Sequence, residues 1–546
     1  MHHLLGITLL VTLALVPSAQ VSSQGSPLLL EHAGSSAIPT VVLEAPDVAR
    51  LMAEDEARGH RPYRYGAAIE ASLDMENRGI WENTDGQLVW RLRIQSPGAL
   101  SLGLELERFA LPEEGQLYVY DPEGKFVLGA YTAENQLANG MFAIQPMAGD
   151  VIVLEYNQPA DAHGQPELVL GRVIHDYRGI LVATEIGSPQ AYSGGCQIDS
   201  LCPEASPYQD IRRSVVMLLQ GGGQCSGVLL NNTSEDETPY FYTANHCGNF
   251  TNVIAVFGYE RDACDSGASS QMNTVAGATL LRSSVQFDGQ LYQLSAPPPA
   301  SYEPFYAGWD RRGNPPGPTA NFSHPGGQPK KFCLDDDAPV HGGSFWDVQW
   351  ELGLIQGGSS GSPLYNGEQR VIGTACCVNN FSCGAQTTSF GRFNGFWNNF
   401  DLSPWLDSIG LGVNHIDGFD PYLPIAIAYN GMGINPEVYV STAPPGVGQT
   451  WTAEVDSSPH PTAGFSVILG HTAPSTGIVL PLGELLIDLL AARHFASVAT
   501  VSTGLSQHSN DIPNDMALVN VRSYTQGFLF GGGTIQATNG VELRLK

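Results

Sequence analysis

The chain has 546 residues, and since one domain per about 150 residues is a usual ratio, three or four domains are expected. It carries 54 acidic and 25 basic residues, which gives a formal charge of −29. Nucleic acids and anionic lipid surfaces bind clustered Lys and Arg, so this composition excludes both as expected partners. Hydrophobic residues make up 42%, enough for packed cores, while 62 Gly and 37 Pro indicate many turns between short strands.

Residues 1–23 are predicted to be a signal peptide. The apolar run over residues 4–16 is followed by small residues, which suits cleavage after Ala19 or Ser23. The run is too short to span a bilayer, and no later stretch reaches 18 apolar residues. The sequence therefore predicts a secreted bacterial protein, extracellular or periplasmic, without membrane insertion.

Residues 24–190 are predicted to be a mostly β pro-region built as a β-sandwich. A short helix is expected at about residues 47–58. Alternating polar and apolar residues predict strands over residues 87–94 and 116–120, and a third strand is expected over residues 151–156. This region is expected to act as a folding aid or an inhibitor whose removal relieves latency.

Two further regions complete the predicted all-β chain. Residues 191–422 contain short apolar strands between Gly, Asn, Ser and Pro clusters, which is typical of a barrel or sandwich. Residues 423–546 are predicted to be a β-rich accessory module, with a helix or long strand over residues 483–493 and a last strand over 540–545. This module is expected to bind a surface, a polymer or substrate, or to aid export, and its sequence does not distinguish these roles.

The cysteines indicate an oxidising compartment. All nine lie between Cys196 and Cys383, so one disulfide-bonded region is flanked by two regions without cysteine. The sequence has no C-x-x-C pair and no H-E-x-x-H motif, so neither a metal site nor a cofactor is expected.

Three segments of the central part carry the residue types of a serine nucleophile with its base. Thr-Ala-Asn-His-Cys contains His246, Asp288 follows in a second segment, and Gly-Gly-Ser-Ser-Gly-Ser-Pro contains Ser360. Acyl transfer needs a hydroxyl, a base, a carboxylate that orients the base, and two N–H groups that stabilise the oxyanion. The backbone N–H groups of Gly358 and Ser360 are the predicted oxyanion donors.

Two alternatives concern these segments. Asp288 precedes Gly289, a pair that fits simple turn chemistry equally well. The serine segment also satisfies G-x-S-x-G, with Ser359 as the nucleophile of an α/β-hydrolase. That fold requires a helix directly afterwards, whereas Pro363 and the strand-like residues 370–373 follow here.

The His and Ser segments resemble those of the chymotrypsin/trypsin-like serine peptidases. Residues 194–203 (GGCQIDSLCP), 230–233 (LNNT) and 306–312 (YAGWDRR) are most similar to the bacterial lysyl endopeptidase branch. The resemblance implies two six-stranded β-barrels with His246, Asp288 and Ser360 in the cleft between them. It also implies a serine endopeptidase that cleaves proteins or peptides through an acyl-enzyme.

The resemblance further implies a set of disulfides. Carried over by position, the bridges are Cys225–Cys247, Cys202–Cys264 and Cys196–Cys383. Cys333, Cys376 and Cys377 have no counterpart, and a bridge from Cys333 to one of the adjacent pair is left open.

The expected specificity departs from that of the lysyl endopeptidases. The residue six positions before Ser360 is Leu354, and the loop over residues 383–391 contains no acid. The acidic run over residues 335–337 is expected to be solvated surface. The sequence therefore predicts no preference for Lys or Arg before the cleaved bond. The competing functional hypothesis is a catalytically inactive, protease-like binding or adhesion protein.

Overall fold

Strands dominate the computed structural model, in agreement with the predicted all-β class. The structure describes residues 26–28, 37–58, 63–180, 196–269, 273–380, 384, 386–422, 425–443, 445–515, 518 and 521–545. The predicted signal peptide lies outside these residues. The chain divides into two units, Met1–Asp420 and Pro421–Lys546. None of the helices described is both long and apolar enough to cross a membrane.

The N-terminal region, residues 37–180, contains one α-helix and two sheets. The helix is α1 (Val48–Arg58), close to the predicted range. The strands are β1 (Thr40–Val42), β2 (Tyr63–Arg64), β3 (Gly66–Asp74), β4 (Ile80–Thr84), β5 (Gln87–Gln95), β6 (Ser101–Ala110), β7 (Gln116–Tyr120), β8 (Val127–Tyr131), β9 (Phe142–Ala148), β10 (Val151–Pro159) and β11 (Glu167–Asp176).

The two sheets of this region pack around one main apolar core. One sheet has the order β1-β5-β10-β7-β8 with β4 beside β5, and the other has the order β3-β11-β6-β9. Leu92 and Leu154 from the first sheet meet Leu104 and Val173 from the second in a single buried cluster. Because side chains alternate across a strand, the predicted strands β5, β7 and β10 can each direct one face into this core.

The central region, residues 196–420, is built mainly from short strands. They are β12 (Ile198–Asp199), β13 (Val215–Gln220), β14 (Gly223–Leu230), β15 (Tyr240–Thr243), β16 (Ile254–Phe257), β17 (Arg261–Ala263), β18 (Ser266–Ser269), β19 (Asn273–Ala276), β20 (Ala278–Ser284), β21 (Gly289–Leu294), β22 (Trp309–Asp310), β23 (Thr319–Ser323), β24 (Lys331–Asp335), β25 (Val340–Gly342), β26 (Phe345–Gln349), β27 (Pro363–Tyr365), β28 (Val371–Val378), β29 (Thr387–Arg392) and β30 (His415–Ile416).

Short helices connect these strands. The α-helices are α2 (Gln209–Arg212), α3 (Phe393–Phe400) and α4 (Ser403–Leu406). Short 3-10 helices occur in both the N-terminal and central regions, at Ala133–Asn135, Pro203–Tyr208, Asn245–Cys247, Ala300–Tyr302 and Pro325–Gly327.

Two main sheets organise the central region. The first has the order β19-β16-β13-β14-β15-β21-β20, and the second has the order β12-β24-β23-β27-β28-β29-β26-β25, with β22 and β30 attached. Each sheet has its own apolar cluster, and a third cluster joins them through residues such as Leu291, Phe322 and Val371. The segments that carry His246 and Asp288 follow strands or turns of the first sheet, whereas Ser360 precedes β27 of the second.

The C-terminal module, residues 421–546, is also built of strands. They are β31 (Ile425–Tyr429), β32 (Tyr439–Ser441), β33 (Thr450–Asp456), β34 (Ala463–His471), β35 (Pro474–Leu480), β36 (Gly483–Ile487), β37 (Arg493–Thr500), β38 (Leu505–Asp511), β39 (Arg522–Gly531) and β40 (Thr534–Arg544). The predicted single element over residues 483–493 is wrong, because β36 ends at Ile487 and β37 begins at Arg493. Strand β40 contains most of the predicted last strand.

Asp55 ties three segments of the N-terminal region together. Its carboxylate accepts hydrogen bonds from Arg64 Nε at 2.7 Å, Arg178 at 2.8 Å and Tyr177 Oη at 2.8 Å. Burial opposes the charge of Asp55, but the hydrogen bonds from Arg178 and Tyr177 and the charge of Arg64 outweigh it and lower the pKa of this carboxyl. Helix α1 is thereby fixed to β2 and to the turn after β11.

Replacing Asp55 by Asn is expected to destabilise the full chain by about 3 kcal/mol at neutral pH, because the buried Arg178 loses the carboxylate that it bonds and Arg64 is left with the more distant Glu54. A group whose pKa is lowered by folding contributes stability above its unfolded pKa of about 3.9, and this contribution disappears as the pH falls through the folded pKa. Urea unfolding at several pH values measures the difference. The exposed neighbour variant Glu56→Gln is the control, and equal midpoints for the two variants would contradict the expectation.

Candidate active site

The His246 side chain is held by Asp288. His246 Nδ1 lies 2.7 Å from Asp288 Oδ2, and the backbone N–H of His246 donates to Asp288 Oδ1 at 2.9 Å. Asp288 is buried, and the described residues offer no hydrogen-bond partner to the buried Nε2 atom of His246. The carboxylate therefore orients the ring through Nδ1 and leaves Nε2 available to a third group.

Asp288 is both a turn residue and the partner of His246. Its φ of 44° lies in the left-handed region, which Asp tolerates better than most residues. Gly289 follows because a Cβ there would lie about 3 Å from the rings of Phe396 and Tyr242. The two interpretations of the Asp-Gly pair are therefore compatible in this structure.

A disulfide and a strand pair fix the backbone that leads to His246. Cys247 is bridged to Cys225 of β14, as expected from the resemblance. Strand β15, which ends at Thr243, pairs with β14 on one side and β21 on the other. The Thr243 hydroxyl donates to Ser226 O at 2.7 Å. The chain before His246 is thus attached to β14 by covalent and hydrogen bonds.

The loop that carries Ser360 is bonded to both sheets. Ser226 N of β14 donates to Ser360 O at 2.8 Å, and Gly361 N donates to Ala375 O of β28 at 2.9 Å. Gly361 has a φ of 83°, and a Cβ there would lie 2.2 Å from Thr243 Oγ1, so only glycine fits. The loop consequently packs directly against the end of the strand that leads to His246.

Strand β28 connects the loop to the His246–Asp288 pair. Cys376 follows Ala375, and its Sγ atom lies within 4.8 Å of a ring nitrogen of His246 and of a carboxylate oxygen of Asp288. The structure therefore brings all three predicted catalytic residues into one region, with Ser360 itself mostly buried.

The predicted oxyanion donors are also unpaired. Within the part of the chain that the structure describes, the backbone N–H groups of Gly358 and Ser360 make no hydrogen bond. Gly358 has a φ of 94°, and a Cβ there would lie 2.0 Å from Gln224 Oε1. Two free N–H groups within three residues can stabilise a negatively charged oxygen.

Ser359 is a structural residue in this arrangement. It is fully buried, and its Oγ accepts a hydrogen bond from Ser323 Oγ at 2.9 Å. Strands β27 and β28 follow the loop instead of the helix that an α/β-hydrolase elbow requires. The alternative nucleophile Ser359 is therefore wrong for this fold.

Among the remaining cysteines, one expected bridge is present and one bridge that the sequence left open is absent. The bridge Cys202–Cys264 is present as expected. Cys196 is disulfide-bonded, and its expected partner Cys383 lies outside the described residues. Cys376 and Cys377 form a bridge with each other. The bridge from Cys333 that the sequence left open is thus absent, because Cys333 of β24 points into the apolar core around Trp346 and is buried with a free thiol. Burial raises the pKa of this thiol well above its usual range.

The positions that bear on specificity are uncharged. Leu354 is fully buried, and Gln386 uses its amide to bond Ile355 N, Ile355 O and Asn380 O. Asp335 is buried at the end of β24 and accepts hydrogen bonds from the backbone N–H groups of Gln349 and Asp337. The expectation of a solvated acidic run is therefore wrong for Asp335, while the two acids after it are exposed.

The sequence of this region is similar to that of known proteins. Residues 190–390 match the sequence model of a family described as the C-terminal domain of lysyl endopeptidase. A curated lysyl endopeptidase of Pseudomonas aeruginosa is 26% identical over 341 residues, which cover 56% of this chain and 71% of that protein. This region is a serine endopeptidase domain similar to the lysyl endopeptidases. The resemblance inferred from the sequence motifs is confirmed.

Solved structures that resemble the chain include other serine proteases. A thermostable serine protease from an extremophilic microorganism is 17% identical, with a TM-score of 0.25, and the match covers 34% of this chain and 92% of that chain. A Glu endopeptidase is 15% identical, with a TM-score of 0.24, and the match covers 34% of this chain and 88% of that chain.

Replacing Asp288 by Asn is expected to lower kcat by about 10⁴-fold, because the amide favours the wrong tautomer of His246. The measurement is steady-state hydrolysis of a peptide substrate at neutral pH. Asp336→Asn, on the exposed part of the acidic run, is the matched control and is expected to keep wild-type kinetics. An Asp288→Asn enzyme within about threefold of the wild type would contradict the assigned role.

Proposed function

We propose that this protein is a secreted serine endopeptidase in which His246, Asp288 and Ser360 act as a catalytic triad. The observation that carries the proposal is the oriented His246 ring in the same region as the Ser360 loop: among the described residues, neither His246 Nε2 nor two N–H groups of the loop have a hydrogen-bond partner. A base, a hydroxyl and an anion-stabilising pair are the groups that acyl transfer requires.

In the proposed reaction, Ser360 Oγ attacks the carbonyl carbon of the substrate while His246 Nε2 takes the hydroxyl proton. Asp288 stabilises the resulting imidazolium through Nδ1. The N–H groups of Gly358 and Ser360 bind the negatively charged oxygen of the tetrahedral intermediate. His246 then gives its proton to the leaving amine. In the second half of the reaction water attacks the acyl-enzyme while His246 Nε2 takes its proton, and His246 returns that proton to Ser360 Oγ as the acid product leaves.

The proposed substrates are proteins or peptides, with no preference for a basic residue before the cleaved bond. Lys or Arg in a pocket needs a carboxylate at its base, and the positions that would supply one hold Leu354 or lie in an acid-free loop. The buried Asp335 uses both carboxylate oxygens on backbone N–H groups, one of Asp337 in its own turn and one of Gln349 at the end of β26, which supports a structural role.

The proposed form of synthesis is a precursor with a signal peptide over residues 1–23 and a pro-region over residues 24–190. Two disulfides in the central region support export to an oxidising compartment. No Lys or Arg lies between Arg178 and Cys196, so a protease without basic specificity is the expected processing enzyme. Binding of a surface or polymer by the C-terminal module stays a prediction.

A fluorophosphonate probe is expected to label the full-length protein on Ser360, because an activated serine attacks phosphorus in place of a carbonyl. Ser360→Ala is expected to abolish both labelling and peptide hydrolysis. Ser301→Ala, at an exposed serine of the same region, is the control. A folded wild-type protein that neither reacts nor hydrolyses peptides would favour an inactive binding protein instead.

A peptide library that varies only the residue before the cleaved bond is expected to show no preference for Lys or Arg over apolar or small residues. The physical reason is the lack of a carboxylate to offset the desolvation of a buried cation. Relative kcat/KM values for the library members provide the measurement. A kcat/KM for Lys or Arg that exceeds all others by about tenfold or more would overturn the specificity proposal.

A further inference from the structure

The N-terminal region extends the first sheet of the central region. Strand β2 pairs antiparallel with the start of β14, so that Tyr63 lies opposite Gln224. The backbone N–H groups of Tyr65 and Gly66 both donate to Gly222 O, at 2.8 Å and 3.1 Å. Strand β15 pairs only with the far end of β14, so β2 occupies an otherwise vacant position on this strand.

A shared apolar cluster accompanies this pairing. All its members are buried, and each region contributes half of them. They are Tyr63, Tyr65, Ala143, Ile174 and Ile180 from the N-terminal region, and Met217, Leu219, Ile254, Val256 and Tyr259 from the central region. A polar contact lies outside the cluster, where Gly221 N donates to the buried Glu105 at 2.8 Å. The interface therefore has the apolar centre that is typical of stable contacts.

Ile180 extends the interface between the two regions, because it contacts the turn over Pro325–Gly327. Asp176 holds Ile180 by accepting its backbone N–H at 2.9 Å, and Tyr259 Oη donates to Ile180 O at 3.1 Å. A Cβ placed on Gly327 would lie 3.1 Å from Ile180 Cγ1 and 3.9 Å from Tyr63 Cε1. The two side chains of the N-terminal region thus pack directly against this turn.

The turn over Pro325–Gly327 is hydrogen-bonded to a peptide group of the predicted oxyanion site. Gly326 N donates to Gly357 O at 2.6 Å. Gly357 O and Gly358 N belong to one planar peptide group, so fixing the direction of the carbonyl also fixes the direction of the N–H. This bond matters because Gly358 is a glycine with positive φ, and the backbone of glycine can adopt more conformations than that of other residues.

A second set of bonds holds the following peptide group. Gln224 Nε2 lies 3.1 Å from both His324 O and Gly358 O, and Ser226 Oγ donates to Gly358 O at 2.9 Å. Gln224 is one of the two residues of β14 that β2 pairs with. Both the strand and the turn that orient Gly358 are therefore in contact with the N-terminal region.

We propose that the N-terminal region is a positioning element of the active enzyme: Ile180 and β2 hold the turn over Pro325–Gly327 and strand β14, and these orient the Gly358 N–H toward the oxyanion. This proposal rests on the proposed function. It assigns the N-terminal region a role in the active site. An inhibitory region would have the opposite effect on activity.

The first test is Ile180→Ala in the full chain. Loss of packing on Gly327 is expected to lower kcat about tenfold with KM little changed, a smaller loss than the ~10²–10³ that follows deletion of an oxyanion donor. The inhibition constant of a peptide boronic acid, whose tetrahedral adduct uses the same donors, is expected to rise by a similar factor. Ile152→Ala, which truncates a buried Ile in the core of the N-terminal region, is the matched control and is expected to change neither value.

Hydrogen exchange gives a readout that does not depend on activity. In Ile180→Ala, the amides of residues 322–330 and 355–361 are expected to exchange faster than in wild type, while those of the Ile152→Ala protein match wild type there. If Ile180→Ala does not fold, Ile180→Val is expected to give a smaller change of the same sign. A folded variant with wild-type kcat and exchange overturns the proposal, as does an increase in activity.

The two proposals fail in different ways. A wild-type protein that hydrolyses peptides, with variants that behave like wild type, overturns only the positioning role. A wild-type protein that neither hydrolyses peptides nor reacts with a fluorophosphonate overturns the triad, and the positioning role falls with it.

Discussion

Three consecutive residues of β14 hold most of the candidate site together. The side chains of Gln224 and Ser226 lie on one face of the strand and both donate to Gly358 O. Cys225 lies on the other face and is bridged to Cys247, beside His246. The backbone of Ser226 bonds the Ser360 loop through its N–H and Thr243 through its carbonyl. Because side chains alternate along a strand, one short segment reaches the nucleophile loop and the histidine at the same time.

The site also shows how a neutral contact can replace a charged one. In trypsin-like enzymes an ammonium group pairs with an Asp beside the nucleophile, and here that neighbour is Ser359. It is bonded to Ser323 inside the protein. A hydrogen bond between two hydroxyls has no charge to titrate and is little affected by salt.

The sequence reveals residues with a chemical function more readily than those that support them. His246, Asp288 and Ser360 lie in short motifs, and strands such as β5 and β7 have local alternation. Gln224 and Ser226 carry no motif, because their partners lie more than 90 residues away and are found only through the sheet pairing. Cys376 and Cys377 could not be assigned, since their pairing depends on the course of β28. The sequence places Asp335 in a solvated acidic run because it does not show that the backbone N–H of Gln349 bonds this carboxylate.

Strand β13 has a consequence for any central region separated from its neighbour. Its run Val215-Val216-Met217-Leu218-Leu219 is buried on both faces, with Val216 and Leu218 inside the first sheet and Met217 and Leu219 under the N-terminal region. Separation would expose the latter face together with Ile254 and Val256, and would also free the backbone groups of β14 that β2 now pairs. An apolar surface next to an unpaired strand edge favours association between chains. The cost of losing the N-terminal region would therefore include poor solubility, despite the high net negative charge of the chain.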